Sequence, residues 1–530
     1  MLWFLLSDAP SPVFYQTGLT FVLGIASFAH PAIQLQYMEI CVRYCSFFET
    51  QTSYIPQVLE QFVQLVHHQH IRVRTRSWYL FFKFVKHLRA HVGNVAETVI
   101  KSIGDLLPIH AEVQEDTSED DMSSEQSDHS ADATFNGQLY LFEAIGTISS
   151  EATIPAEKQI LYARSIMDPL FSEIEKGLPA AKAGDAQAIL QIHHVVMALG
   201  TLAHGFSDWT PGNSATAHHA PIKEVTEEFS RASEAILIAL EALRSSSDIR
   251  TASRSAFSRL MGVMGIGMLP LLPRWIDGLL SQSSSKDEMA MFLRLLDQVV
   301  FGFKKEIYTV LDSLLTPLFQ LVFAGLAEPI TGTDDEIQLA ELRREYLTFV
   351  QIILNNDLGA VLVSDRNQGF FETLIESVTT LAKTVTAGQG NLAASRLAFS
   401  VITRMADLWG GPNIATLGKT DISSSAPPSP AFPGFDRFLI ERFHPICWAV
   451  LSEPTFLPSN DAQAKQVLNE IAGLEQTIYM KTGDMFVQHL HGSFFPSMGI
   501  DGTDFIKSMA TSTERKGLAS YLQVFLRNRR

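Results

Sequence analysis

Apolar positions recur at the helical period along almost the whole chain. The clearest case is the stretch 71–92, IRVRTRSWYLFFKFVKHLRAHV. Its large apolar residues fall at i, i+3, i+4, i+7 and i+10, and they are Trp78, Phe81, Phe82, Val85 and Leu88. This spacing predicts one helix with an aromatic stripe that packs against neighbouring helices.

The side of this helix opposite the apolar stripe is cationic. The basic residues on or near that side are Arg72, Arg74, Arg76, Lys83, Lys86 and Arg89. Arg74 and Arg89 lie nearer the stripe, at the two ends. For any single residue a solvated face is the simpler interpretation. A row of cations without an intervening acid repels itself by a few tenths of a kcal/mol per i,i+4 pair, and it indicates an anionic ligand, most commonly a phosphate backbone.

The same helical periodicity continues through the chain and predicts an all-α fold. Segments of about 12–22 residues with helical periodicity follow one another with short breaks, and no run alternates at period 2. A chain of 530 residues exceeds what one compact core usually supports. Units of about 40–47 residues are typical of HEAT repeats, so we expect a superhelical α-solenoid of about ten antiparallel helix pairs. A compact helical bundle is the alternative.

Two polar interruptions divide this pattern. We predict HEAT repeats at 1–110, an acidic disordered insertion at 111–136, repeats at 137–410, a Pro/Ser-rich loop at 411–434 and C-terminal repeats at 435–530. The interval from 112 to 132 carries nine acids and no Lys or Arg. It supplies about half of the formal net charge of −17, so the remainder is only mildly acidic and has room for basic patches.

The small, odd number of cysteines favours a reducing compartment, and the N-terminal stretch predicts no targeting segment. The opening MLWFLLSDAPSPVF lacks a basic n-region, and no run reaches about 18 unbroken apolar residues, so we predict neither a signal peptide nor a membrane span. The abrupt hydrophobic start suggests that the chain begins inside a longer protein. Three cysteines, Cys41, Cys45 and Cys447, do not make a disulfide framework.

The sequence contains none of the usual catalytic signatures. It has no phosphate-binding glycine loop, no G-x-S-x-G elbow and no H-E-x-x-H motif. The histidine clusters at 67–70, 193–194 and 218–219 lack carboxylate or cysteine partners at ligand spacing. Turn capping accounts for Asn367 and its polar neighbours. We therefore expect no enzyme, no catalytic residue, no cofactor and no metal.

Several phrases together resemble the exportin-T family, the tRNA export receptors of the importin-β/karyopherin superfamily. VRTRSWYLFFKFVKHL is similar to that family's V-R-x-R-x-x-Y-L-F-x-x-F-V-K segment, and GQLYLFEAIGTI to its L-Y-x-x-E-A-x-G helix. ILNNDLGAVLVSDRNQGFFETLIESV and GLASYLQVFLRN resemble its C-terminal half, in a fungal form. The matches come in the right order and span most of the chain.

The resemblance implies a HEAT solenoid that binds mature tRNA cooperatively with Ran-GTP in the nucleus and releases it in the cytoplasm. It implies nucleoporins as further partners and no membrane. It also implies that this chain corresponds to the C-terminal half, without the N-terminal arch where Ran is mainly held. The six basic residues of the 71–92 helix become the candidate tRNA-binding residues.

A second hypothesis stays open from the residues alone. A HEAT repeat protein can be a scaffold for protein partners without any RNA cargo. That hypothesis predicts protein-dominated, nuclease-insensitive complexes, whereas the first predicts salt-sensitive tRNA binding through the basic helix.

Overall fold

The computed structural model describes residues 30–113, 131–207, 222–280, 285–385, 392–413, 432–511 and 515–529. Within these ranges the chain is made of helices joined by turns and short extended segments, and no β-strand occurs. The chain divides into two compact units, Met1–Ser281 and Gln282–Arg530. The helical periodicity of the sequence did not predict this division into two units.

The first unit contains eleven α-helices among its described residues. They are α1 (Pro31–Arg43), α2 (Cys45–Thr50), α3 (Ile55–Val66), α4 (Ile71–His87), α5 (Ala96–Ile103), α6 (Ala131–Ser149), α7 (Ala156–Lys182), α8 (Ala186–Phe206), α9 (Lys223–Ala242), α10 (Ser247–Met264) and α11 (Leu272–Leu279).

These helices form two layers. In one, which we call the α4 row, α1 packs on α4, α4 on α6, α6 on α8 and α8 on α10. In the other, the α9 row, α3 contacts α5, α7 contacts α9 and α9 contacts α11. Helices that follow one another across short turns pair antiparallel, so alternate helices enter the same row and run parallel. This order of contacts is that of HEAT-type pairs in an α-solenoid, and the predicted fold class is confirmed.

Glycines bring three helices of the α4 row unusually close together. A Cβ added at Gly146 of α6 would lie 2.4 Å from the carbonyl oxygen of Leu202 in α8. A Cβ added at Gly200 of α8 would lie 2.7 Å from the Cα of Ala256 in α10. Any side chain at these two positions would force the helices apart. The close approach lets side chains from neighbouring helices meet at the surface of the row.

The second unit repeats the same design with twelve α-helices among its described residues. They are α12 (Lys286–Phe303), α13 (Tyr308–Ala327), α14 (Thr333–Asn355), α15 (Phe371–Ala382), α16 (Leu392–Trp409), α17 (Phe435–Phe438), α18 (His444–Leu451), α19 (Ala462–Thr482), α20 (Asp484–His489), α21 (Phe495–Met498), α22 (Thr503–Thr511) and α23 (Arg515–Arg529). Here α12, α14, α16, α19 and α23 pack in succession as one row.

Several helix ends differ from the predicted ones. The predicted 71–92 helix ends at His87, because Leu88 leaves the helical conformation and a 3₁₀ turn, Arg89–His91, follows. Helix α6 begins at Ala131, before the expected position at Gly137. The described segment before the acidic interval is extended, and side-chain amides of α8 bind its backbone: Gln191 Nε2 donates to Ile109 O at 2.8 Å.

Some predicted segments lie outside the described residues. These are the first part of the predicted repeats, 1–29, the acidic interval from 114 to 130 and the Pro/Ser-rich loop from 414 to 431. The domain limits and the repeat count stay predictions.

Three apolar segments are long enough to cross a membrane by length and composition alone. They are Ala186–Phe206, Ser247–Leu279 and Lys286–Ala327. In the described part of the first unit, α8 lies between α6 and α10, and both α8 and α10 also pack on α9. Of the apolar stretches in the first two segments, 56% and 50% are buried.

Candidate nucleic-acid interface

Helix α4 presents its predicted apolar stripe to the core and its predicted cations to the surface. Trp78, Phe81, Phe82, Val85 and Leu88 are all buried. The four residues Arg72, Arg76, Lys83 and Lys86 are exposed, and we call them the cationic strip. At the helical rise the strip extends over about 21 Å. One face of α4 is thus buried and hydrophobic, and the opposite face carries a row of cations.

The other two predicted cations lie away from the strip. Arg74 is half-buried, with its guanidinium 6.0 Å from the centre of the Trp78 ring. Arg89 follows the end of α4 and donates from Nη2 to Ser150 Oγ at 2.7 Å, which ties the turn after α4 to the end of α6. The structure therefore brings four of the six candidate residues together on one exposed face and places the other two away from that face.

Aromatic rings support the cationic strip from within the same helix. The Tyr79 ring lies between the Arg76 guanidinium, at 4.9 Å, and the Lys83 ammonium, at 5.4 Å. Lys86 lies 5.2 Å from the centre of the Phe82 ring. From α6, Tyr140 packs against Tyr79 at 5.1 Å. Each exposed contact of this kind between a cation and a ring contributes about 0.5–1 kcal/mol of interaction energy, and it favours the observed positions of the cations at the surface.

Carboxylates from neighbouring helices partly neutralise the strip. Glu39 of α1 accepts from Arg76 Nε at 3.0 Å, and Glu143 of α6 accepts from Lys86 Nζ at 3.2 Å. Among the described residues Lys83 makes no ion pair. The sequence showed that α4 itself has no acid here, but it could not show which acids the neighbouring helices contribute.

Glu143 also contacts a histidine of the next helix in the row, and its charge acts on an arginine of the helix after that. His204 Nε2 of α8 lies 3.7 Å from Glu143 Oε1. The half-buried Arg259 of α10 donates to Thr201 Oγ1 of α8. Burial lowers the pKa of Arg259, and the charge of Glu143 only partly offsets this effect. Sequence reasoning missed His204 and Arg259, because neither belongs to a basic cluster in the chain.

A periodic signal for these residues does exist in the sequence. Lys86 and Glu143 are 57 residues apart, and Thr201 and Arg259 are 58 apart. In a row of parallel helices with a nearly constant spacing, residues one period apart lie at the same height. Aligning the helices at that period would have placed these four residues side by side.

The described part of the chain offers no metal site. It contains no group of three or more His, Cys, Asp or Glu residues arranged to hold a metal ion. Cys41 and Cys45 are buried, and burial raises the pKa of each thiol to about 12. Thiols of that kind stay protonated and poorly reactive near neutral pH.

Similarity to known proteins decides the family. The family model described as Exportin-T matches residues 20–530. The chain belongs to the exportin-T family. Exportin-T of Sclerotinia sclerotiorum is 71% identical over 507 residues, and Exportin-T of Pyricularia oryzae is 66% identical over 509 residues. Each alignment covers 96% of this chain and 49% of the relative, so the chain spans about half the length of the curated relatives that it matches. The resemblance to exportin-T expected from the sequence is confirmed.

Among solved structures, the crystal structure of Kap121p bound to Ste12p is similar to this member of the exportin-T family over 97% of this chain and 45% of that one. The identity is 11% and the TM-score is 0.49. A similarity of this size carries no further weight.

Proposed function

We propose that this chain is part of a tRNA nuclear export receptor. It binds the phosphate backbone of tRNA cooperatively with Ran-GTP and accompanies it from the nucleus to the cytoplasm, with nucleoporins as further partners and without catalysis. The observation that carries the proposal is the exposed cationic strip, Arg72, Arg76, Lys83 and Lys86, in a chain of the exportin-T family.

The chemistry of the strip suits an RNA backbone. Folded RNA is recognised largely through its phosphates and 2′-hydroxyls. Arginine and lysine bind phosphate as positively charged hydrogen-bond donors. A strip of about 21 Å can face several phosphates along one strand. Arg76 pairs with Glu39, and both side chains are exposed. An exposed ion pair of this kind is worth only about 0.2–1 kcal/mol, so a phosphate can compete with this carboxylate.

The proposal is tested by reversing three charges on the strip. We expect R72E/R76E/K83E to weaken tRNA binding by roughly a hundredfold or more at low salt, measured by filter binding at two salt concentrations. The matched control is K101E/K176E/K223E, which makes the same change in net charge. These three lysines are exposed, and among the described residues each pairs only with an acid one turn away. One of these acids, Glu97, also pairs with Lys158.

The control lysines lie on α5, α7 and α9, away from the α4 row. We expect the control variant to bind tRNA within a few-fold of the unchanged protein. Equal affinity in both triple variants would contradict the proposal and favour a scaffold for protein partners.

A further inference from the structure

We propose that Lys86, His204 and Arg259 form one phosphate site on the α4 row, and that the Glu143 carboxylate occupies the place of the RNA phosphate until RNA binds. This inference rests on the proposed function. It adds two residues outside α4 to the RNA-binding surface and gives Glu143 the role of an internal competitor.

The site is built by parallel helices at one height of the row. Lys86 is on α4, Glu143 on α6, His204 on α8 and Arg259 on α10. Lys86 Nζ lies 3.2 Å from Glu143 Oε1, and His204 Nε2 lies 3.7 Å from the same oxygen. The two helices that flank α6 in the row therefore direct polar groups at one carboxylate oxygen of α6, and α10 places the Arg259 guanidinium against Thr201 of α8.

Close packing of the helices makes this meeting possible. Gly146 lies one turn after Glu143 and contacts α8, and Gly200 lies beside Thr201 and contacts Ala256 of α10. Without Cβ atoms at the two glycines the helix axes come close. A larger residue at either glycine would separate the polar groups as well as the helices.

The charges of the cluster do not balance. Glu143 is the carboxylate that the described structure places among these groups, and it pairs with both Lys86 and His204. Arg259 hydrogen-bonds to Thr201, and the effect of Glu143 on its pKa is smaller than the effect of burial. A partly desolvated guanidinium without full compensation favours a second anion nearby.

A phosphate group compensates the positive charge of this cluster better than the Glu143 carboxylate does. It brings more negative charge and more acceptor oxygens than one Glu side chain, so it can accept from Lys86, His204 and Arg259 together. The Glu143 side chain is 16% exposed, which leaves it a path to solvent when a phosphate takes its place. Removal of the Glu143 charge should then increase the affinity for RNA, although it breaks the ion pair with Lys86 and alters the contact with His204.

The decisive variant is therefore E143Q in the full 530-residue chain. We expect it to raise tRNA affinity roughly fivefold, and we expect R259Q to lower it by roughly tenfold. The matched controls are E97Q, an exposed acid with two lysine partners on the other row, and R244Q, an exposed arginine paired with Asp277. Both controls should leave affinity unchanged.

A competition experiment separates an RNA phosphate from free phosphate. Inorganic phosphate is added at constant ionic strength to the tRNA complex of the unchanged protein and of R259Q. We expect phosphate to displace tRNA more effectively than chloride from the unchanged protein, and this difference to disappear in R259Q. Absence of the difference in the unchanged protein would contradict a defined phosphate site.

The outcomes for E143Q distinguish binding from structure. An E143Q protein that keeps its melting temperature but binds tRNA equally or more weakly would overturn the inference, since Glu143 would then be only a structural partner of Lys86. If R259Q fails to fold, H204Q provides the same test, because His204, unlike Lys86, lies outside the cationic strip. If the strip variant R72E/R76E/K83E loses tRNA while E143Q and R259Q match the unchanged protein, only this site fails; if the strip variant also binds normally, the proposed function fails.

Discussion

The two rows of the first unit have surfaces of different electrostatic character. On the α9 row, arginines and carboxylates interlock in an ion-pair mesh, formed by Arg164, Arg231, Arg244 and Arg274 with Asp168, Glu228, Glu234, Glu241 and Asp277. On the α4 row, Arg76, Lys83, Lys86 and Arg259 face only Glu39 and Glu143 in the described structure.

The difference lies in the charge balance rather than in the number of ion pairs. In the mesh five carboxylates surround four arginines, so each cation is compensated and the surface attracts no further anion. On the α4 row the cations outnumber the carboxylates, and aromatic rings rather than acids hold Lys83. An excess of one sign concentrates counter-ions of the other sign. We therefore expect the mesh to act on stability and the strip to act on RNA binding.

The largest expected effect is the loss of stability when the mesh is opened. Glu228 is buried and accepts from Arg164 and from Arg231, the latter at 2.9 Å. In R164Q/R231Q its charge stays buried without a cationic partner, so we expect a loss of about 3 kcal/mol in the free energy of unfolding. Denaturant titration measures this loss, and tRNA affinity should not change in the folded protein.

The single variant R244Q is the control for that loss. Asp277, the partner of Arg244, is 71% exposed, so we expect a change below about 1 kcal/mol. Equal losses in R164Q/R231Q and R244Q would mean that burial of Glu228 does not set the contribution of the mesh.

The next effect concerns the salt dependence of tRNA binding. Each phosphate contact by a cation contributes about one to the slope of log affinity against log salt. We expect R72Q/R76Q/K83Q to reduce the magnitude of this slope by about three, with little change in the free energy of unfolding. Filter binding over a salt series measures it.

The corresponding variant on the other row is K101Q/K176Q/K223Q, which removes three exposed lysines. We expect its salt slope to equal that of the unchanged protein. A reduced slope in this variant would show that RNA binding depends on overall charge and not on the strip.

A smaller expected effect is the pH dependence of the stability that the mesh contributes. Arg164 and Arg231 hold the pKa of Glu228 below its usual value, with the hydrogen bond from Arg164 as the main cause. A lowered folded-state pKa adds stability that is fully present above the unfolded value of about 4.3. That stability is lost as pH falls through the lower, folded value.

The comparison of the unchanged protein with E228Q measures this contribution. We expect the difference between their free energies of unfolding to shrink as pH falls below about 4.3, because the unfolded chain then binds a proton at Glu228 that the folded protein binds only at lower pH. A constant difference down to the lowest pH would contradict ionic stabilisation by Glu228.

The sequence predicted what depends on local periodicity. The helix of Trp78 and Phe81, its buried stripe and its cationic face follow from spacing within one helix, and the structure agrees. The end at His87 was missed, because no glycine, asparagine or proline directly follows Leu88. The predicted family is likewise confirmed by the similarity of its helices to known relatives.

What the sequence could not predict depends on contacts between helices. Glu39 and Glu143 meet the strip from 37 and 57 residues away, and a search along α4 cannot find them. Asn367 was explained as turn capping, but it is fully buried and donates to Val361 O and Asp312 O, each at 3.0 Å. In both cases the partner lies on a neighbouring element, whose position follows from packing and not from local sequence.

The smallest expected effect concerns the ring that orients two strip cations. Tyr79 lies between Arg76 and Lys83, so Y79L should remove the ring face while keeping an apolar side chain against Tyr140. We expect tRNA affinity to fall about two- to fivefold, in line with about 0.5–1 kcal/mol for an exposed cation–π contact. Y79F keeps the ring and should bind within about twofold of the unchanged protein.

The mesh provides the matched control, because the Arg231 guanidinium lies 5.3 Å from the Phe171 ring. We expect F171L to leave tRNA affinity unchanged, since Arg231 is already compensated by Glu228 and Asp168. If Y79F binds as weakly as Y79L, the phenolic hydroxyl and not the ring contacts the RNA. If F171L weakens binding as much as Y79L, the distinction between the two rows fails, because a ring beneath a compensated arginine would then matter as much as one beneath the strip.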